Sequence, residues 1–276
     1  MVNETFSAKR FRQYFLYDLK QLWHNNGKAA IALGFISVIC YIVWVGFSLI
    51  FTGGWSAPTL PARLVFFVLG SVILLFYQAR TYGYLTEKKA GQSWLMIPAS
   101  TLEKFVSMMI ITIIVIPVAY IVSYLALDSL IGLIDKTSGG PIVARVTTVM
   151  DKVDVFFSAA NEEGFRFHIS TFAFPMVISF ISSLLYFLLC GLCFKKWKIL
   201  GALGINMLAS MLTTPIFTPF IYKYWTPAIT ANDYDGDPAA ISEFVNQFLG
   251  YANAFNLLLL LGIAAGIYYR LKTLKH

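Results

Sequence analysis

Hydrophobic residues fall along this chain in six long runs, parted by polar segments that hold most of its charge. The runs cover residues 29–51, 64–84, 105–127, 169–194, 199–220 and 251–269. A helix rising about 1.5 Å per residue needs about 20 apolar residues to cross the hydrocarbon core of a bilayer, and each run has that length. The pattern predicts an all-α, polytopic membrane protein with six transmembrane helices. The whole of 1–276 forms a single transmembrane domain in this reading. The first run is too long for a signal peptide, begins after 28 polar and aromatic residues, and no small-residue cleavage site follows it.

The segments between the runs are patterned too. In 1–28, Phe11, Tyr14, Phe15, Leu19, Leu22 and Trp23 recur at helical spacing among Lys9, Arg10, Arg12, Asp18 and Lys20. A basic helix with an aromatic stripe suits the membrane interface, so 1–28 is predicted to be an N-terminal interfacial helix. His24-Asn25-Asn26-Gly27 is expected to break it before the first span. In the outer segment 128–168, Ile142, Val143, Val146, Val149, Met150, Val153, Phe156 and Phe157 trace one helical face. That predicts an amphipathic outer helix over 142–157, for which gating and simple packing both remain open. The segment 221–250 carries an acidic turn, Asn232-Asp233-Tyr234-Asp235-Gly236-Asp237-Pro238, that mimics the start of a calcium loop. Position 12 from Asp233 is Phe244 rather than Glu, and Pro238 breaks the pattern, so a solvated turn is the better reading.

Composition agrees with burial in lipid. The chain is 58% hydrophobic and 13% charged, with a mean hydropathy of +0.70, where soluble domains carry about a quarter charged residues. The net charge of +7 is an orientation signal rather than a nucleic-acid footprint. With an even number of spans, 15 of the 21 Lys and Arg fall on the side of the termini, and 10 of the 14 Asp and Glu fall on the other. An excess of Lys and Arg marks the cytoplasmic face. Both termini are therefore expected in the cytoplasm, with 85–104 on the same side.

Chemistry is scarce. The spans have no charged residue in their inner thirds, which disfavours a proton- or sodium-driven transporter and a voltage sensor. Cys190 and Cys193 spell CxxC, but they sit in an apolar helix with no second pair and no nearby His, so packing is the better reading. His24, His168 and His276 are too scattered for a metal site. No HExxH, nucleophile elbow or GxxxxGK[ST] is present, so no catalytic residue, metal ligand or nucleotide-binding motif is assigned. The fifth span holds Gly201, Gly204, Asn206, Ser210, Thr213, Thr214, Pro215 and Pro219. Small residues let helices approach and hydroxyls satisfy partners inside a bundle, so Asn206, Ser210, Thr213 and Thr214 are candidates for a substrate path or for helix packing. Pro117 and Pro175 should kink the third and fourth spans.

One cytoplasmic stretch is out of keeping with the rest: QSWLMIPASTLEKFV, residues 92–106. Pro98 holds Ile97 extended. Ser100, with Glu103 three residues on, has the spacing of a capping box for the helix that enters the third span. Leu95, Met96 and Ile97 are apolar in a polar, basic loop, which suggests a docking surface for a cytoplasmic partner.

Here the chain resembles a known family. The polar segment after the second span, Ile97-Pro98-Ala99-Ser100, and Glu103-Lys104 leading into the third span look like the permeases of type 2 ABC exporters. The stretch SWLMIPAS is similar to those of Bacteroidetes-type bacteria. The family form more often has Leu before the Pro and Arg after the Ser, where this chain has Ile97 and Thr101. The resemblance implies that 85–104 contains a coupling helix seated in a separate cytoplasmic ABC ATPase. Gln92, Trp94, Leu95, Ile97, Pro98, Ser100 and Glu103 would make or support that contact. The interfacial helix, through Phe11, Phe15 and Trp23, would be a second mechanical contact. It further implies a bacterial cytoplasmic (inner) membrane, ATP and Mg2+ bound by the partner rather than by this chain, and a second copy or a related permease completing the path. A non-transporting scaffold or sensor that docks another partner, and a secondary transporter, are the alternatives.

Overall fold

The computed structural model describes residues 6–86, 88–145, 151, 155, 158, 169–230 and 238–273. Among them the chain is all-helical, with no strand. In chain order the helices are α1 (Ala8–Gly34), α2 (Ile36–Thr52), α3 (Leu60–Thr81), α4 (Lys88–Leu95), α5 (Thr101–Ile110), α6 (Ile116–Ile134), α7 (Ile169–Cys193), α8 (Lys198–Thr230) and α9 (Pro238–Thr273). A π turn, Ile111–Val115, joins α5 to α6, and 3-10 turns occupy Gly83–Thr86 and Lys136–Ser138.

By length and apolar composition, four helical stretches can cross a membrane: Leu60–Thr86, Thr101–Ile134, Phe172–Cys193 and Val245–Thr273. The pair α1 and α2 makes a fifth if its two parts, bent by 43°, form one span. In α8 the apolar stretch Lys198–Met211 is shorter. The all-α character expected from the sequence is thus present, with four or five stretches able to cross a membrane among the described residues where the sequence reading expected six.

The break between the N-terminal helix and the first span lies elsewhere than expected. Helix α1 runs unbroken through 24–27 to Gly34, and the change of direction comes at Phe35. Tertiary contacts absorb the polar run. The Asn26 side chain donates to the Thr81 carbonyl at the end of α3, 3.3 Å away, and Gly27 lies against the Trp23 ring. Helix α2 ends at Gly53, whose φ of 65° is the left-handed conformation that glycine adopts without a Cβ clash.

Helix α7 is the hub. It packs against α3, α8, α9 and the π turn, and Leu184, Leu185, Leu188 and Leu192 on it are fully buried. Its contact with α3 is backbone-close: a Cβ on Gly191 would collide with the Ala79 carbonyl oxygen. Antiparallel α3 and α6 are joined by two tyrosines one turn apart. Tyr120 donates to the Phe67 carbonyl (2.7 Å) and Tyr124 to the Arg63 carbonyl (2.6 Å).

The π turn has a clear cause. Pro117 has no N–H to give, and the Ile116 N–H goes back to Ile111 rather than to Thr112. The Thr112 carbonyl therefore loses both of its usual helical donors. Gln78 of α3, fully buried, reaches across and donates its amide to it at 3.3 Å.

The end of the bundle that the sequence reading places outside is closed by a buried ion pair. Arg63 of α3 makes a two-pronged contact with Asp128 of α6, and both are almost wholly buried. Arg63 also donates to the Gly140 carbonyl (2.9 Å), and Asp128 accepts the Ile142 N–H (3.1 Å). The loop 135–142 is thereby strapped across the ends of both helices. Nearby, Asp135 accepts bonds from Thr137, Tyr41 and Trp55. Those bonds, from Thr137 above all and then Tyr41, hold its carboxyl down at about 2. Residues 142–145 begin a helix; the rest of the expected outer helix, apart from 151, 155 and 158, lies outside the described residues, as does the acidic turn at 231–237.

Candidate functional site: the joint between α1 and residues 82–107

Within 92–106 the cap forms as its chemistry predicts. Helix α4 ends at Leu95, the chain bends across Ile97 and Pro98, where the Ala99 N–H donates to the Ile97 carbonyl (2.8 Å), and Ser100 (φ −66°, ψ 155°) caps α5. Both halves of the capping box are made. The Glu103 N–H donates to Ser100 Oγ (3.2 Å), and the Ser100 N–H donates to Glu103 Oε2 (2.9 Å).

Glu103 does more than cap. It is fully buried and is also the anchor for α1. The Ser7 N–H donates to its Oε1 at 2.9 Å, and Arg10 donates from Nε (2.8 Å to Oε2) and from Nη2 (2.8 Å to Oε1). A planar guanidinium on a carboxylate is the stronger kind of charge-assisted pair, because two parallel bonds fix orientation as well as distance.

Three further bonds continue the seam along α1. Tyr14 lies four residues after Arg10 and Asp18 four after that, so the three share one helix face. The Trp94 indole N–H donates to the Tyr14 hydroxyl (3.0 Å). Asp18, itself buried, accepts from Tyr82 (3.0 Å) and from Ser107 (2.7 Å). Lys104 closes the ring: its Nζ donates to the Trp94 carbonyl (2.9 Å) and sits 4.3 Å from the centroid of the Trp94 ring.

Other elements brace the same segment. Lys198, opening α8, donates to the Gly83 carbonyl at 2.6 Å. The Phe105 ring meets Tyr268 of α9 edge-on, with centroids 5.5 Å apart. Between the 94–104 segment and the end of α9 lies a groove of 340 Å³, bordered by Leu95, Ile97, Thr101, Lys104, Leu271 and Lys272.

The residues singled out in the sequence divide into two sets. Gln92, Leu95 and Pro98 are exposed, and Ile97 is half-buried. Met96 is 84% exposed, although it was not among the named contacts. Trp94, only 3% exposed, Ser100 and Glu103 face inward and hold the segment in place. Phe11 and Phe15 are half-buried with ring centroids 6.0 Å apart, while Trp23 is 61% exposed, away from the joint. Asn206 and Ser210 lie on an open face of α8, where the Ser210 hydroxyl donates to the Asn206 carbonyl. The side chains of Thr213 and Thr214 lie outside the described residues. Arg10, Tyr14 and Asp18 were not assigned to this site from the sequence. The signal for them was their four-residue spacing, which places three hydrogen-bonding groups on one face of a helix otherwise read as aromatic and basic.

Comparison of the chain with protein-family models, with curated proteins and with solved structures finds no match.

Among the described residues of the joint, the Asp18 and Glu103 carboxylates are taken up by structural partners, and the side chains presented outward include Gln92, Leu95, Met96 and Pro98.

Proposed function

We propose that this chain is the membrane-spanning subunit of an ATP-driven ABC exporter in a bacterial cytoplasmic membrane. Six spans, with both termini in the cytoplasm, make one half of the path, and a second copy or a related permease makes the other. ATP and Mg2+ are bound by a separate cytoplasmic ATPase that grips the 92–104 segment. The observation that carries this reading is the division of that segment. Gln92, Leu95, Met96 and Pro98 are presented outward, while Trp94, Ser100 and Glu103 tie their base to α1 and to the start of α5. A force applied to the outer surface reaches two membrane helices without crossing a flexible loop. The open face of α8, with Met207, Leu208 and Met211 exposed beside Asn206, is in keeping with a missing neighbour.

The test is purification of the chain in mild detergent from its own host, beside a variant in which residues 92–98 are replaced by a Gly/Ser linker. Recovery of a Walker-type ATPase with the native chain and not with the variant supports the proposal. A folded native chain that brings down no such ATPase ends it.

A further inference from the structure

Away from the joint, α1 and α6 diverge around a cleft of 410 Å³. That volume is in the range of small-molecule sites, about 300–1,000 Å³. Its walls are almost entirely apolar, including Leu22, Ile31, Phe35 and Leu127. Two irregularities of the backbone border it. Phe35, where α1 gives way to α2, is on one side, and Val115 and Ile116, where the π turn ends, are on the other.

Three hydroxyl-bearing residues of α3 and α6 line the cleft, and two of the hydroxyls are committed. Tyr120 donates to the Phe67 carbonyl and Ser123 to the Tyr120 carbonyl. The third, Tyr77, is 8% exposed, and its hydroxyl has no hydrogen-bond partner among the described residues. A buried hydroxyl left without a partner is destabilising. The occupant should be a long apolar body carrying one acceptor.

The depth of Tyr77 identifies that acceptor. It lies four residues from the end of α3, about 6 Å along the axis. The polar cluster of Asp18, Tyr82 and Ser107 lies just beyond that end. With lipid headgroups placed at that cluster, the ester groups of a glycerolipid fall at the level of Tyr77. On α1, exposed Lys20, His24 and Lys28 recur every four residues, with exposed Trp23 adjoining, a pattern suited to an anionic headgroup and an interfacial ring.

We propose that this cleft is a phospholipid site, in which one acyl chain lies between α1 and α6 and its ester carbonyl accepts a hydrogen bond from the Tyr77 hydroxyl. The site does not depend on the transport reading.

The test uses the full chain in nanodiscs containing phosphatidylglycerol with a photoreactive acyl chain, and cross-linked peptides are mapped by mass spectrometry. Labelling should concentrate in residues 19–35 and 115–127, above that of the exposed face 257–261 of α9, which reports ordinary contact with surrounding lipid. Tyr77→Phe removes only the hydroxyl and should lower cleft labelling about three- to tenfold, leaving the 257–261 signal unchanged. Ala119→Phe fills the cleft and should abolish labelling there, and its thermal unfolding shows whether it folds. If it does not, Tyr77→Phe decides. Cleft labelling no higher than that of 257–261 and unchanged in Tyr77→Phe would overturn the proposal. So would labelling by a photoreactive free fatty acid but not by the phospholipid.

Discussion

Replacing Asp128 with Asn tests the physical reading of the strap. The side chain keeps its shape and loses its charge, which leaves the Arg63 guanidinium buried beside carbonyl groups alone. Both residues are almost wholly buried, so solvent does not screen the loss. Breaking one partner of such a pair costs about 3–5 kcal/mol. The double variant Arg63→Met/Asp128→Leu removes both charges. Apolar replacement of a buried pair is often neutral or gains about 1–4 kcal/mol. Against that, the Ile142 N–H and the Gly140 carbonyl lose their partners, at about 1–3 kcal/mol each. The double variant should therefore be more stable than Asp128→Asn alone, despite carrying more changes, and with the single variants Arg63→Met and Asp128→Leu it closes a cycle whose coupling energy should be about 2 kcal/mol or more. Thermal unfolding in detergent measures the cycle. A second readout is local: Ser138→Cys, at a buried position, should resist a maleimide in the native background and react once Asp128 is Asn. Additive energies, or a strap as closed in Asp128→Asn as in the native chain, would refute the reasoning.

Further expectations concern other parts of the molecule. Glu103→Gln weakens the charge-assisted bonds to Arg10 while leaving an acceptor for the cap, so protease cleavage near residues 7–12 should rise, with the α5 cap kept. Gln78→Leu strands the Thr112 carbonyl and should destabilise by about 1 kcal/mol. Pro117→Ala, by restoring an N–H, should recover most of that loss in the double variant, and thermal unfolding of the four species reads it. Gly191→Val cannot be accommodated where a Cβ already meets the Ala79 carbonyl, and it should lower the yield of folded protein far more than Gly262→Val, where a Cβ meets nothing. Asp135 is held at about 2, below its ordinary 3.8. Its stabilising effect should therefore be complete above about pH 4 and vanish as pH falls through about 2, while Asp135→Asn should show no change across that window. Hydrogen exchange around Trp55 follows it.

The sequence disclosed what depends on near neighbours. Ser100 and Glu103 sit three residues apart, and a capping box is decided within one turn, so both of its bonds were legible. The apolar runs likewise disclosed long helices apolar enough to cross a membrane. Contacts between distant residues were not legible. Arg63 and Asp128 lie 65 residues apart, each at the end of an apolar run, where a charge reads as an interfacial anchor. Arg10, Tyr14 and Asp18 were visible only as members of an amphipathic helix, because their partners enter from α4, α5 and the turn after α3. The Asn25-Asn26-Gly27 run carried the signals of a helix end. It remains helical because Asn26 serves another helix's terminal carbonyl. Pro117 announced a distortion, but its form, a π turn with Gln78 supplying the missing donor, was set by a residue on another helix.

The close crossing of α3 and α7 has a consequence for biogenesis. The chain leaves the ribosome in order, so α3 enters the membrane well before α7 has been made. Through that interval the face of α3 that will receive Gly191, with Ala79 at its centre, has only lipid against it. The first half of the protein must therefore wait in the bilayer as an incompletely packed intermediate, held by the tyrosine bonds between α3 and α6 and by the Arg63–Asp128 strap, all of which are complete before residue 143. Those contacts keep the first half in register until α7 arrives, and a chain stopped just short of α7 should keep that register while remaining open to the membrane quality-control proteases.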